Sequence, residues 1–222
     1  MAATAPKPAG ILKKILAPVA ILYLLVYVVI ACLRLRYPFE LEWMEGGSVD
    51  HVRRILDGKG LYVEPGIDFV PYIYTPLYFY VSAALARVIG IGFLPLRIVS
   101  FVSSLGCLLL IAGWVRRETD SRLFGLLAAG LFAATFRAGG AWLDIARVDS
   151  LCLLLFLAGA CLLRFAASPG GTGAAGLLLA LSFLTKQTAL VMAAPLVVAT
   201  FHRSRRSGLL LLGTLGDRKS VV

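Results

Sequence analysis

The chain of 222 residues contains no asparagine, so it carries no acceptor for N-glycosylation. It is also poor in charge. Only 15% of its residues are Asp, Glu, Lys or Arg, against about a quarter in soluble domains. An ordinary cytosolic enzyme is thereby excluded. Its two histidines, His51 and His202, stand alone, and His202 lies in a basic, solvated cluster. Its four cysteines, Cys32, Cys107, Cys152 and Cys161, lie inside apolar runs without a C-x-x-C pair. That excludes a disulfide framework and makes them small buried apolar residues. No G-x-G-x-x-G or P-loop occurs, so no nucleotide-binding fold is visible.

What is abundant is apolar surface. Hydrophobic residues make up 59% of the chain, and mean hydropathy is +0.87. The apolar residues fall into several long runs, which also excludes a disordered chain and marks a polytopic membrane protein. The net charge of +10 sits between those runs. It therefore fits membrane topology rather than nucleic-acid binding.

Ile15 to Leu33 is a 19-residue apolar run between Lys13-Lys14 and Arg34, with no small-x-small cleavage site after it. It reads as an uncleaved first helix. Residues 34–75 hold most of the acids: Glu40, Glu42, Glu45, Asp50, Asp57, Glu64 and Asp68. Within them Val49, Val52, Ile55 and Leu56 share one helical face. This predicts a short amphipathic helix over 48–57, ended by Gly58 and Gly60 and lying on the membrane surface. Further apolar runs cover 74–91, 96–115, 123–143, 151–163, 174–185 and 188–201. The last run, Gly208 to Leu215, is far short of the ~20 residues of a spanning helix. Asp217 to Val222 resembles the translation of a sequencing adapter. Residues 1–216 are thus expected to be the N-terminal part of a longer transmembrane domain, with 217–222 foreign to it.

The distribution of Lys and Arg selects a topology. With Lys7, Lys13 and Lys14 in the cytoplasm, Arg116, Arg117 and Arg122 fall inside only if run 74–91 does not span. That run opens Tyr74-Thr75-Pro76-Leu77-Tyr78-Phe79-Tyr80 and carries Arg87, and it reads as a second surface helix. The 202–206 cluster is then internal, while 144–150 and the hairpin tip Thr185-Lys186-Gln187-Thr188 are external. The expected fold is all-α: a polytopic membrane helical bundle with surface helices in a long first external loop. Glu42, Glu45, Asp144, Arg147, Asp149 and Lys186 then share the external side. Ionisable groups at membrane depth cost about 2.5–3.5 kcal/mol each near a helix centre, so Lys186 needs a partner or a water-filled cavity.

Four stretches carry a resemblance: Glu42-Trp43-Met44-Glu45-Gly46, Gly60-Leu61-Tyr62, Arg147-Val148-Asp149-Ser150 and Phe183-Leu184-Thr185-Lys186-Gln187. In order and spacing, over residues 10 to about 205, the chain resembles membrane glycosyltransferases of the GT-C fold. That group includes protein O-mannosyltransferases and the lipid A aminoarabinose transferase, and the likeness is nearest to bacterial proteins of the mannosyltransferase-like branch. The resemblance implies a sugar donor linked to polyprenyl phosphate and transfer at the external face of the plasma membrane. The acceptor would be a hydroxyl of a lipid, glycan or protein. It implies Glu45, fifteen residues before Gly60, as the general base, with Glu42 able to share or take over that role. Asp149 matches the family's second acid. Lys186, with Arg147 and Gln187, would bind the donor phosphate. Glu45 stands where the family usually has Asp, and Gly46 where a second acid often follows.

Direct attack by the acceptor implies inversion at the anomeric carbon. Lysine and arginine would neutralise the leaving phosphate, and a carboxylate would take the acceptor proton. Two carboxylates could instead share a divalent cation, and the residues leave both arrangements open. A transporter or a non-catalytic membrane scaffold is the alternative reading. Charges within helices fit a transporter, but the long acidic loop and the absence of an evident repeat do not.

Overall fold

The computed structural model describes residues 8–166 and 168–216. The tail 217–222 lies outside them. All regular elements among the described residues are helices: α1 (Pro8–Leu35), α2 (Met44–Leu56), α3 (Leu77–Ile89), α4 (Phe93–Thr119), α5 (Arg122–Ala134), α6 (Asp149–Phe165), α7 (Pro169–Thr185), α8 (Ala189–Arg203) and α9 (Arg205–Gly216). This is the expected all-α class.

Two of them, α1 from Leu12 and α4, are long and apolar enough to cross a membrane. At about 1.5 Å per residue each exceeds the ~30 Å hydrocarbon core. Along α1, Leu22, Leu25, Val29 and Leu33 are all more than half exposed, a surface suited to lipid. The inner face of α4 is polar but small. Ser100, Ser103 and Ser104 are buried there, and each hydroxyl is hydrogen-bonded.

α5 lies between α1 and α4, α6 packs on α4, α7 on α6, and α9 on both α7 and α8. Small residues let these backbones approach. A Cβ on Gly130 of α5 would stand 2.5 Å from the Ala20 Cβ of α1, and one on Gly159 of α6 would stand 2.9 Å from Leu179 of α7.

Long-range hydrogen bonds fix which helix ends meet. Arg97 in the first turns of α4 reaches the Arg34 carbonyl at the end of α1. Arg34 reaches Ala141 and Asp144 beyond α5. Asp149 at the start of α6 meets Lys186 at the end of α7. All these lie at one end of the bundle. At the other end Arg164 of α6 pairs with Glu118 of α4. The chain therefore leaves α1 and enters α4 at the same end, and α2 and α3 stay there. The Tyr78 hydroxyl of α3 donates to the Leu96 carbonyl at 2.9 Å, and α3 packs on α2, α4 and α7. The run 74–91 thus forms a 13-residue helix lying at that end of the bundle.

Boundaries differ from expectation in three places. α2 begins four residues before 48, so that Glu45 lies in its first turn. α7 begins five residues before 174 because Ser168 caps it, accepting from the Gly171 amide, and Pro169 occupies the first turn. The run 123–143 is not one helix. α5 stops at Ala134 and an irregular segment follows, with Gly140 and Ala141 both at positive φ. Non-helical backbone at such depth must be satisfied within the protein. The Ala141 carbonyl accepts from Arg34, the Leu143 carbonyl from Ser150, and the Ala146 amide donates to Glu45.

This end-to-end arrangement is testable by labelling. With the four natural cysteines replaced, cysteines at Ile67 and at Asp120, both exposed, are expected to react with an impermeant maleimide from opposite sides of the membrane. Labelling of both from one side would contradict the crossing by α4.

Candidate active site

At the end of the bundle that holds α2 and α3, eight charged side chains from separate elements pair with one another, and they divide into two groups. The first is buried. The Glu45 side chain has no exposed surface, and neither has that of Arg97. Glu45 Oε1 accepts from Arg97 Nε at 2.9 Å and from the Ala146 amide at 2.8 Å. Oε2 accepts from the second Arg97 nitrogen and from the Leu41 amide, both at 2.7 Å. The remaining donors of Arg97 go to the carbonyls of Arg34, Tyr37 and Phe39. Burial alone would raise the Glu45 carboxyl. The Arg97 bonds and the two amides outweigh it and hold the group below the usual carboxylate range.

Beside this pair Arg34 holds the buried Asp144 at 3.0 Å. Burial pushes the Asp144 carboxyl up to about 6, against the pull of Arg34, and its Oδ2 has no hydrogen-bond partner among the described residues.

The second group is an alternating chain of charges, Glu42–Arg147–Asp149–Lys186. Glu42 stands 3.2 Å from Arg147, Arg147 Nε donates to Asp149 Oδ2 at 3.0 Å, and Lys186 Nζ donates to Asp149 Oδ1 at 2.6 Å. Their side chains keep 15%, 8%, 25% and 23% of their surface, respectively. They are therefore reachable where Glu45 is not. The Arg147 guanidinium lies 4.1 Å from the centre of the Trp142 ring and meets Met44 Sδ. Lys186 lies 5.5 Å from the Tyr74 ring. Gln187 donates to the Ile73 carbonyl at 2.6 Å, and Thr75 donates to the Phe183 carbonyl at 2.7 Å. These two bonds clamp the α7–α8 turn onto the loop before α3.

That loop is anchored by His51. The Tyr72 amide donates to Nε2 at 2.9 Å, so the proton sits on Nδ1, which donates to the Gly47 carbonyl at 2.6 Å. The ring stacks against Tyr72 and Phe79. Tyr72 in turn donates to the Met44 carbonyl, so His51 sets one wall of the charged chain.

Of the site residues expected from sequence, Glu42, Arg147, Asp149 and Lys186 meet in one group. Gln187 adjoins them through the loop. Glu45 lies one helical turn deeper, in the buried pair, with both oxygens already occupied. A cation, Arg147, already stands between the two carboxylates Glu42 and Asp149. Among the described residues no three His, Cys, Asp or Glu side chains come together as a metal-binding group. The sequence reading missed Arg97, Trp142 and Tyr74. The signal for Arg97 was present: it is the second residue of the apolar run 96–115, and a charge at that depth requires a partner.

A helical bundle with two helices long and apolar enough to cross a membrane, and acids and bases gathered at one end of it, fits an integral membrane protein. The family model described as dolichyl-phosphate-mannose-protein mannosyltransferase matches residues 71–213, and the chain belongs to that family. It is an integral membrane glycosyltransferase of the GT-C type that uses a lipid-linked sugar donor. Arg147, Asp149, Lys186 and Gln187 lie inside the matched stretch, whereas Glu42 and Glu45 precede it. No curated protein and no solved structure matches the chain.

Two outcomes follow from the geometry. Glu45→Gln places an amide NH2 against Arg97 and Leu41, and is expected to destabilise the fold by about 3–5 kcal/mol, the usual cost of breaking a buried ion pair. Thermal unfolding measures this, and an unchanged Tm would contradict it. Burial holds the His51 imidazole below its ordinary 6.5, against the pull of its bond to Gly47. The unfolded chain therefore takes up the proton first. The contribution of His51 is complete above pH 6.5 and is lost as pH falls through its lower folded value. Hydrogen exchange of residues 57–75, corrected for intrinsic rate, should show protection falling as pH drops below 6.5; constant protection would contradict the anchor.

Proposed function

We propose that the protein moves a hexose or pentose from a polyprenyl-phosphate donor to an acceptor hydroxyl of a lipid, glycan or protein, with inversion. The reaction takes place on the external face of a bacterial plasma membrane that the protein crosses several times. The observation that carries this reading is the partly exposed charge chain Glu42–Arg147–Asp149–Lys186.

The general base is Glu42. Sequence reasoning favours Glu45, but a carboxylate with four hydrogen bonds, no exposed surface and a lowered proton affinity is neither reachable nor basic. Glu42 has one arginine and one backbone amide as partners and retains exposure. It takes the proton of the acceptor hydroxyl as the oxygen attacks the anomeric carbon. The bond from that carbon to the phosphate oxygen breaks, and the electron pair leaves with the polyprenyl phosphate. Lys186 and Arg147 receive that charge. Asp149 bridges the two cations and holds them apart at a set spacing until the phosphate competes for them. Gln187 positions Lys186 through the turn it clamps.

The external placement rests on charge. The opposite end of the bundle carries Arg116, Arg117, Arg122, Arg164 and the cluster Arg203, Arg205 and Arg206. These belong in the cytoplasm by the positive-inside rule.

In the full-length enzyme Glu42→Gln is expected to lower transfer by about 10²–10⁴-fold, the range of general-base catalysis, with Tm unchanged. Transfer from radiolabelled polyprenyl-phosphate sugar in membranes measures it. A fully active Glu42→Gln variant would remove the base from this position.

A further inference from the structure

At the end of the bundle away from the charge chain, α4 and α6 leave a groove of about 270 Å³ between them. Leu109, Gly113 and Leu162 line it with apolar surface, and Trp114, Phe165 and Arg117 complete it. Trp114 and Phe165 meet edge to face with centroids 5.8 Å apart. The Arg117 guanidinium lies over the Phe165 ring at 4.4 Å.

The charges here are unevenly matched. Arg164 is held by both oxygens of Glu118, at 2.6 and 2.9 Å. Arg117 is exposed and forms no ion pair among the described residues. Its aromatic contact fixes the guanidinium without neutralising it.

The groove is also unused by the packing. A Cβ built on Gly113 meets nothing within 4 Å, and Leu109, one turn earlier, is 74% exposed. An apolar slot beside the candidate membrane span α4, ending at an aromatic pair and an uncompensated arginine, matches a molecule with an acyl chain and an anionic head. Aromatic rings and arginine are the side chains favoured at the level of lipid headgroups, and guanidinium pairs with phosphate oxygens in a bidentate fork.

We infer that this groove binds an anionic phospholipid of the surrounding leaflet. Its acyl chain lies along Leu109, Gly113 and Leu162, and its phosphate rests on Arg117. Arg116 and Arg122 flank the same end and extend the field that favours an anionic over a zwitterionic head. The site is distinct from the donor site, which lies at the other end of the bundle, and does not depend on the assignment of Glu42.

Trp114 is the reporter. The full-length protein is reconstituted in nanodiscs containing phosphatidylglycerol or phosphatidylcholine with brominated acyl chains, at equal mole fraction. Tryptophan fluorescence is expected to be quenched more steeply by the brominated phosphatidylglycerol. That excess should disappear in Trp114→Phe, which removes the reporter, in Gly113→Leu, whose Cβ meets no neighbour within 4 Å and whose side chain takes up groove space, and in Arg117→Gln, which removes the head contact. Equal quenching by the two lipids in the unmodified protein overturns the proposal without any variant. An excess that survives Gly113→Leu or Arg117→Gln overturns it as well, because diffuse attraction to the basic end would then suffice. An excess that survives Trp114→Phe places the lipid elsewhere.

Discussion

The buried pair of Glu45 and Arg97 is the interaction on which the rest of this end of the molecule depends. Two unsolvated charges in a low-dielectric interior are stable only when every remaining lone pair and proton is also satisfied. Here that requirement draws in five separate backbone groups: the carbonyls of Arg34, Tyr37 and Phe39 and the amides of Leu41 and Ala146. One ion pair thereby ties together the end of α1, the start of α2, the first turns of α4 and the irregular segment after α5. Removing either partner would leave an uncompensated charge inside the bundle. Such a pair adds little net stability compared with apolar packing, but it sharply specifies one arrangement of the segments around it.

That arrangement divides the work of two neighbouring acids. Glu45 is consumed by the scaffold. Glu42, one helical turn earlier in the chain, is held at the edge of the cluster beside Arg147. The alternating charges from Glu42 to Lys186 are drawn from three parts of the chain, the entry to α2, the start of α6 and the end of α7. Each cation is partnered by an acid, so the group is tolerable at the bilayer edge before any donor arrives. On the proposed function, a donor phosphate would not meet a bare cationic pocket. It would displace the carboxylate of Asp149 from one or both cations, so that the full positive charge is felt only by a group able to compete for it.

Much of this was legible in the sequence. Composition and run length reveal the helical class, and the Lys/Arg distribution correctly leaves α3 at the same end as α2. The Arg-Val-Asp-Ser and Thr-Lys-Gln stretches bring Arg147, Asp149 and Lys186 together. Three features were not legible, each for a physical reason. Glu42 and Glu45 are the same residue type three positions apart, and only the partner on another helix, Arg97, tells the scaffold acid from the accessible one. The run 123–143 is interrupted only by Thr135 and Arg137, yet the helix stops at Ala134 and the backbone beyond it turns through Gly140 and Ala141 at positive φ; hydropathy does not register backbone conformation. The glycine-rich start of α7 argues against a helix by propensity, and the Ser168 cap and Pro169 override it.

In the proposed division of roles Glu45 holds the fold while another carboxylate takes the proton. The direct measurement is the transfer rate per folded molecule of the Glu45→Gln enzyme, taken well below its own melting temperature. A rate within about tenfold of the unmodified enzyme is expected, a far smaller loss than the 10²–10⁴-fold that follows removal of a general base. A Glu45→Gln protein that is fully folded yet inert would contradict it, and would return the base to the buried acid.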